Sequence, residues 1–306
     1  ANPVAAFDLY DTSGAFEILA PELLKMKGCP QPEEFHNEGD VWTHTRLALE
    51  ALQSEEYAKA FGHPLPTRSC LAVAGGLTSP LQGEEIEVVS PLPAGEEQGE
   101  GDFHYNALLI MAILFHDVGK PPMLQTPEHD GVDRVRFDEH DTVGAEIARE
   151  IARSLVLSIM VDGPLHVNYD FLTLLIKHHL ILLHTKAEDF KASTVEKYFF
   201  NPKFPGEELL RLAFCDGSAA IPKDGGAPSL QNLHNMMARI KRMEKAVQEK
   251  RVFVKPLING DVIMEILKIP SGPGVGEILA ALREEQLSAR VTSKGEAMEW
   301  LKKNFG

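Results

Sequence analysis

Histidines and aspartates stand in this sequence where apolar side chains are expected. The segment LLIMAILFHDVGKPP, residues 108–122, runs an unbroken apolar stretch directly into His116 and Asp117. A helix that is apolar on every side is buried, and an imidazole or carboxylate buried without a partner is costly. A single His-Asp pair could satisfy itself by one internal hydrogen bond. The pattern recurs, however. His44 lies inside the amphipathic DVWTHTRLAL, His140 opens FDEHDTVGAE, His178 and His179 interrupt LLIKHHLIL, and Asp216 interrupts LLRLAFCDGSAA. Each segment reads as a helix that turns an imidazole or a carboxylate toward the core. Mixed nitrogen and oxygen donors suit Mn, Fe, Co, Ni or Zn rather than calcium, and carboxylates with water also admit Mg. A divalent ion held by such a set could act as a Lewis acid and make a nucleophile from water.

The elements that must position these residues are helices. The stretch DVWTHTRLALEALQSEEYAKAF starts at Asp40, a favourable N-cap, and keeps apolar residues at helical spacing. Residues 104–117 read as a central apolar helix, residues 141–158 as an amphipathic one, and YDFLTLLIKHHLILLH as another apolar one. GEELLRLAFCDGSAA and the basic LQNLHNMMARIKRMEKAVQEKR follow, and the remainder reads as short helices broken at INGD and IPSGPGVG. Residues 61–103 differ, with five prolines, seven glycines, seven acids and one Arg. They predict a long inserted loop with a small hairpin at SCLAVAG and EIEVVSP. The expected architecture is all-α, with a helical bundle over residues 1–230 and a smaller helical C-terminal module over residues 231–306.

Composition narrows the class. A chain of 306 residues with 44% hydrophobic and 25% charged residues is ordinary for a globular protein. No apolar run is long enough for a bilayer, and the opening ANPVAAFDLY lacks a signal pattern. Cys29, Cys70 and Cys215 are few, odd in number and far apart, so neither disulfides nor thiolate metal sites are expected, and a cytoplasmic location is. The net charge of −15 opposes broad nucleic-acid binding. It is unevenly spread: residues 235–306 hold 13 Lys+Arg against 9 Asp+Glu, a net of +4, which leaves −19 for the rest.

The ordered set His, His-Asp, His, His, Asp together with HDVGK resembles the HD-domain metal-dependent phosphohydrolases. Within that superfamily, GAFEILAPELLKMKGCPQPEEFHNEGDVWTHTRLALEAL is similar to the start of the HD body of bacterial CCA-adding tRNA nucleotidyltransferases. The tail from PLINGDVIMEILKIPSGPGVG onward is similar to their C-terminal region, and LIKHHLIL to the HD domain of the PII uridylyltransferase. The resemblance covers nearly the whole chain outside residues 61–103. No paired Asp-x-Asp of a nucleotidyltransferase head follows a Gly-Gly or Gly-Ser, so no nucleotide addition by this chain alone is expected.

The resemblance implies site residues. His44, His116, Asp117 and Asp216 match the basic ligand set, with Asp117 bridging if two ions bind. His140 and His179 match the histidines of members that hold a second ion. His179 is preferred because the L-x-x-H-H-L pattern places the ligand second, which leaves His178 as a packed neighbour or a substrate contact. Lys120 is placed to meet a substrate phosphate, and Asp117 to orient water. His36 is a candidate substrate contact or a surface histidine, and His184 either lines the site one turn after His179 or, as preferred, packs. The implied activity is on nucleotides or 2′,3′-cyclic phosphates with one or two divalent ions (Mn, Ni, Co, Fe or Mg). The competing reading is an RNA-binding body that meets tRNA through its C-terminal module, working with a separate nucleotidyltransferase. A homodimer through the C-terminal helices is a further partner expectation, and a membrane is not.

Overall fold

The computed structural model describes residues 2–62, 106–155, 167–250, 256–287 and 290–306. Three short helices open the chain: α1 (Pro3–Thr12), α2 (Ala15–Leu19) and α3 (Pro21–Leu24). Next come α4 (Val41–Ala51), α5 (Glu55–Phe61), α6 (Ala107–Phe115), α7 (Lys120–Met123), α8 (Pro127–Asp130) and α9 (His140–Ser154). The first core is completed by α10 (Tyr169–His178), α11 (Ile181–His184), α12 (Ala192–Phe199), α13 (Gly206–Ala219) and α14 (Gln231–Lys250). Then follow α15 (Gly260–Leu267), α16 (Pro273–Leu287) and α17 (Lys294–Phe305). The described residues form no strand, only one antiparallel bridge between Gln125 and Arg136. The fold is all-α, as expected. The predicted hairpin falls outside the described residues.

Two apolar clusters organise the helices. The larger runs from Val4 to Ile240 and takes in α14 through Leu233, Met236 and Ile240. The smaller gathers Ile258, Ile263, Val275, Ile278, Leu282, Val291, Ala297 and Leu301 from the last three helices. The two meet where α16 packs on α12. There Glu284 accepts from the backbone N–H groups of Ala192 (2.8 Å) and Ser193 (2.7 Å), and Arg283 pairs with Glu196. Those amides open α12, whose own N-cap residue, Lys191, makes no side-chain cap. Glu284 thus caps a helix from 91–92 residues away in sequence.

Three expected helices change shape. DVWTHTRLALEALQSEEYAKAF is two helices, because the chain turns at residues 52–54 and Ser54 caps α5 by accepting from Tyr57 N–H at 3.0 Å. YDFLTLLIKHHLILLH also breaks, and His179 is the C-cap of α10 rather than an interior residue. The central helix α6 ends at Phe115, so His116 and Asp117 sit in the turn that follows it.

Candidate metal centre

Five segments deliver the six residues to one place. Asp40 caps α4 by accepting from Thr43 N–H at 2.8 Å, and its other oxygen accepts from Gly28 N–H at 2.6 Å. That double anchor sets the rotation of α4, whose inward face holds His44. The turn after α6 brings His116 and Asp117. Helix α9 then comes unusually close: a Cβ on Gly119 would lie 2.1 Å from the His140 carbonyl oxygen and 2.6 Å from the Gly144 nitrogen. Gly119 therefore admits the start of α9 to the Asp117 turn, where a larger residue would hold it away. The C-cap of α10 supplies His179, and α13, packed on α4, supplies Asp216.

All six side chains are buried, with relative exposures of 0–8%. His44 Nε2 is 3.0 Å from Asp216 Oδ1, and His116 Nε2 is 3.8 Å from the same oxygen and 3.2 Å from Asp117 Oδ2. Asp117 Oδ1 faces His140 Nε2 at 3.6 Å and His179 Nε2 at 3.8 Å. Asp117 thus stands between two groups, His44 with His116 on one side and His140 with His179 on the other.

The tautomers can be read from the partners. His116, His140 and His179 direct Nδ1 at the carbonyls of Ile113 (2.8 Å), Phe137 (2.7 Å) and Ile176 (2.6 Å). A carbonyl only accepts, so each Nδ1 carries the proton. Burial lowers the His140 imidazole below its usual range, and burial with the nearby His116 lowers His179 to about 4. Both rings are therefore neutral, and their Nε2 lone pairs point at an ionised carboxylate oxygen with no hydrogen between. Burial opposes ionisation of Asp117, but the charges of His116 and Lys120 outweigh it and hold the carboxyl well below its usual range. His116, His140 and His179 leave Nε2 buried without a hydrogen-bond partner. A cation relieves this arrangement. Ligand atoms each about 2.0–2.2 Å from one ion stand about 3–4 Å apart, the spacing observed around Asp117. The donors present fit a divalent ion.

Neighbouring residues fix the donors. Glu38, whose side chain is fully buried, accepts from both His36 Nδ1 and His44 Nδ1 at 2.7 Å through one oxygen. Its other oxygen accepts from Ile221 N–H at 2.9 Å. Burial works against the Glu38 charge, yet the hydrogen bonds from His36 and His44 bring the carboxyl down to about 2. Lys120 is buried, forms an ion pair with Asp117 Oδ2 at 2.7 Å and donates to Gln31 Oε1 at 2.8 Å. Neither Glu38 nor Gln31 is singled out by sequence periodicity, since both sit in the polar loop QPEEFHNEGD.

These groups open onto a cavity of about 910 Å³, lined among others by His36, Asp117, Lys120, His140, His179 and Asp216. Of the two readings of His184, the one in which it lines the site holds: it is exposed at this cavity and does not pack. His178 is not brought to the cavity. It packs on Tyr198 and Phe204, with ring centroids 5.2 and 5.7 Å away.

Sequence comparison agrees with the geometry. Residues 98–212 match the HD domain family, so the chain carries an HD domain. His116, Asp117, His140 and His179 fall within that match, while His44 and Asp216 flank it and join through the fold. Among curated proteins the chain is similar to tRNA nucleotidyltransferases. It is 30% identical over 196 residues to the A-adding tRNA nucleotidyltransferase of Deinococcus radiodurans, covering 64% of this chain and 41% of that protein. It is 32% identical over 221 residues to the CC-adding tRNA nucleotidyltransferase of Thermus thermophilus, covering 70% and 45%. A shorter match, 34% over 98 residues, is to the Multifunctional CCA protein of Actinobacillus pleuropneumoniae, covering 29% and 23%. The chain spans less than half the length of these relatives. No solved structure matches it significantly.

Proposed function

We propose that this chain is a metal-dependent phosphohydrolase acting on nucleotides or 2′,3′-cyclic phosphates, with a place in tRNA 3′-end processing. The observation that carries the reading is the pair of neutral imidazoles, His140 and His179, whose bare Nε2 atoms face Asp117 Oδ1. Asp117, His140 and His179 would hold one ion, and His44, His116, Asp117 and Asp216 another, chosen from Mn, Ni, Co, Fe or Mg. Bound there, such ions supply charge neutralisation at phosphate and a water of lowered pKa.

The chain's own residues do the rest. Glu38 holds His44 in one orientation, as a carboxylate behind a ligating imidazole does. Lys120 braces Asp117 and lines the cavity, where its remaining N–H meets a phosphate oxygen. His36 lines the same cavity with its Nδ1 tied to Glu38, leaving Nε2 for substrate. Asp117, on the cavity floor, orients the attacking water.

The deciding experiment is hydrolysis of 2′,3′-cyclic AMP with added Mn, Ni, Co or Mg, comparing wild type with Asp117→Ala. Metal-dependent turnover lost in the variant is expected. Folded wild type that turns over nothing with any of the metals would move the reading to an RNA-binding body. That second reading is favoured by the names of the relatives and by the +4 net charge of residues 235–306. Binding to tRNA would then be the measurement, with the oligomeric state beside it.

A further inference from the structure

The proposed chemistry leaves two cations of the cavity unused. Arg134 and Arg136 both line it. The loop that carries them is cross-bridged: Gln125 N–H donates to the Arg136 carbonyl at 2.9 Å, and Arg136 N–H donates to the Gln125 carbonyl at 3.1 Å. The next residue, Phe137, gives its carbonyl to His140 Nδ1. The main chain of Arg136 is thus fixed one residue from the atom that orients an imidazole facing Asp117.

The two guanidiniums have capacity to spare. Arg134 is exposed and makes no ion pair among the described residues. Arg136 pairs with Asp133 at 3.1 Å through Nη2, while its Nε is buried and has no hydrogen-bond partner among the described residues. Lys120, by contrast, is already paired with Asp117 and bonded to Gln31, and its remaining N–H is assigned to the phosphate at the metal centre. Glu34, Asp138, Glu139 and Asp141 line the same cavity, so its positive ground outside the metal centre is confined to the arginines. Phe35 also lines the cavity and is 55% exposed, in a turn where the amides of Phe35 and His36 both meet the Pro32 carbonyl at 3.1 Å. An exposed ring at a cavity mouth is a surface on which a nucleobase stacks.

Resting on the hydrolase reading above, we infer that Arg134 and Arg136 form a subsite for a second phosphate of the nucleotide, distinct from the phosphate presented to the histidines and carboxylates, with Phe35 under the base. Guanidinium is the side chain that matches phosphate through paired N–H donors. The volume of about 910 Å³ lies near the top of the range of about 300–1,000 Å³ typical of small-molecule sites, which leaves room beyond a mononucleotide. The second phosphate has two sources: a free nucleoside bisphosphate, or the internal phosphodiester of an oligonucleotide ending in the cavity.

The test is calorimetric titration of Mn-supplied protein with adenosine 3′-monophosphate, adenosine 3′,5′-bisphosphate and the 3′-phosphorylated dinucleotide ApAp. The bisphosphate is expected to bind at least about tenfold tighter than the monophosphate, the value of one charge-assisted contact. In Arg134→Glu, an exposed position that folding tolerates, the ratio falls to about one, and in Arg136→Ala it falls as well. ApAp binding as tightly as the bisphosphate identifies the oligonucleotide source, and ApAp binding only like the monophosphate identifies the free bisphosphate. Equal affinity for mono- and bisphosphate, no binding of either, or a ratio that survives both substitutions overturns the subsite. Binding needs no turnover, so a tenfold ratio in protein that hydrolyses nothing removes the hydrolase reading alone, and hydrolysis without the ratio removes the subsite alone.

Discussion

Gly119 and His140 touch through their backbones, so closely that a methyl group on Gly119 would lie 2.1 Å from the His140 carbonyl oxygen. The contact is between main-chain atoms and cannot be relieved by rotating a side chain. Gly119→Ala should therefore push α9 away from the Asp117 turn. The expected cost is about 1–3 kcal/mol of overpacking, with weaker metal uptake as His140 is displaced. Urea unfolding with and without Mn would measure both. A variant as stable and as metal-responsive as wild type would show that the turn can shift without cost.

Glu38 presents a second sharp expectation. One of its oxygens accepts from both His36 and His44, and the other accepts from Ile221 N–H. Glu38→Gln keeps the volume but turns an amide NH₂ toward one of these donors. Metal affinity should fall about 10–100-fold, the usual penalty for losing the group behind a ligating histidine. Competition against a chelator reads it, and unchanged affinity would detach Glu38 from the centre.

Metal-free protein should be most stable near pH 6.5, because two histidines act in opposite directions. Burial lowers the His44 imidazole, but the hydrogen bonds it donates to Asp216 and Glu38 outweigh that and raise it to about 9. The folded state favours its charged form, so that stabilisation is complete below about 6.5 and is lost as pH rises to about 9. His179, lowered to about 4 by burial and His116, resists protonation when folded. The unfolded chain takes up that proton first, so stability falls as pH drops from about 6.5 to about 4. Each of these two histidines contributes a slope of up to about 1.4 kcal/mol per pH unit, with His116 adding to the alkaline arm and His140 to the acid arm. Urea midpoints of chelated protein across the two windows check this, and His179→Gln should make the acid arm shallower, the part owed to the lowered His140 remaining, without changing the alkaline arm.

The helix cap supplied by Glu284 gives a prediction remote from the centre. Glu284→Ala leaves the first amides of α12 without their acceptor. A loss of about 0.5–2 kcal/mol is expected, as for other removed N-caps, together with looser seating of α16 on α12. Chemical denaturation and hydrogen exchange at Ala192 and Ser193 would report it. Unaltered exchange at those two amides would mean that water replaces the carboxylate at no cost.

The centre was legible in the sequence where a polar residue interrupts an apolar segment, as at His116, Asp117, His179 and Asp216. Such interruptions stand out because burial makes them expensive. The supporting residues were not legible for the converse reason. Gln31, Glu38, Arg134 and Arg136 lie in polar loops, where each resembles its neighbours until the fold selects it. The helix breaks at residues 52–54 and after His178 were hidden because Leu52, Leu180 and Ile181 prolong the apolar pattern through the turns.

The three carbonyls that take the Nδ1 protons belong to residues 113, 137 and 176, each three positions before the histidine it serves. No point substitution deletes a main-chain oxygen. The tautomers are therefore insured against side-chain change at these positions, provided that volume is kept. Each is also settled within four consecutive residues. The centre thus gathers rings whose protons are held by their own segments and not by one another.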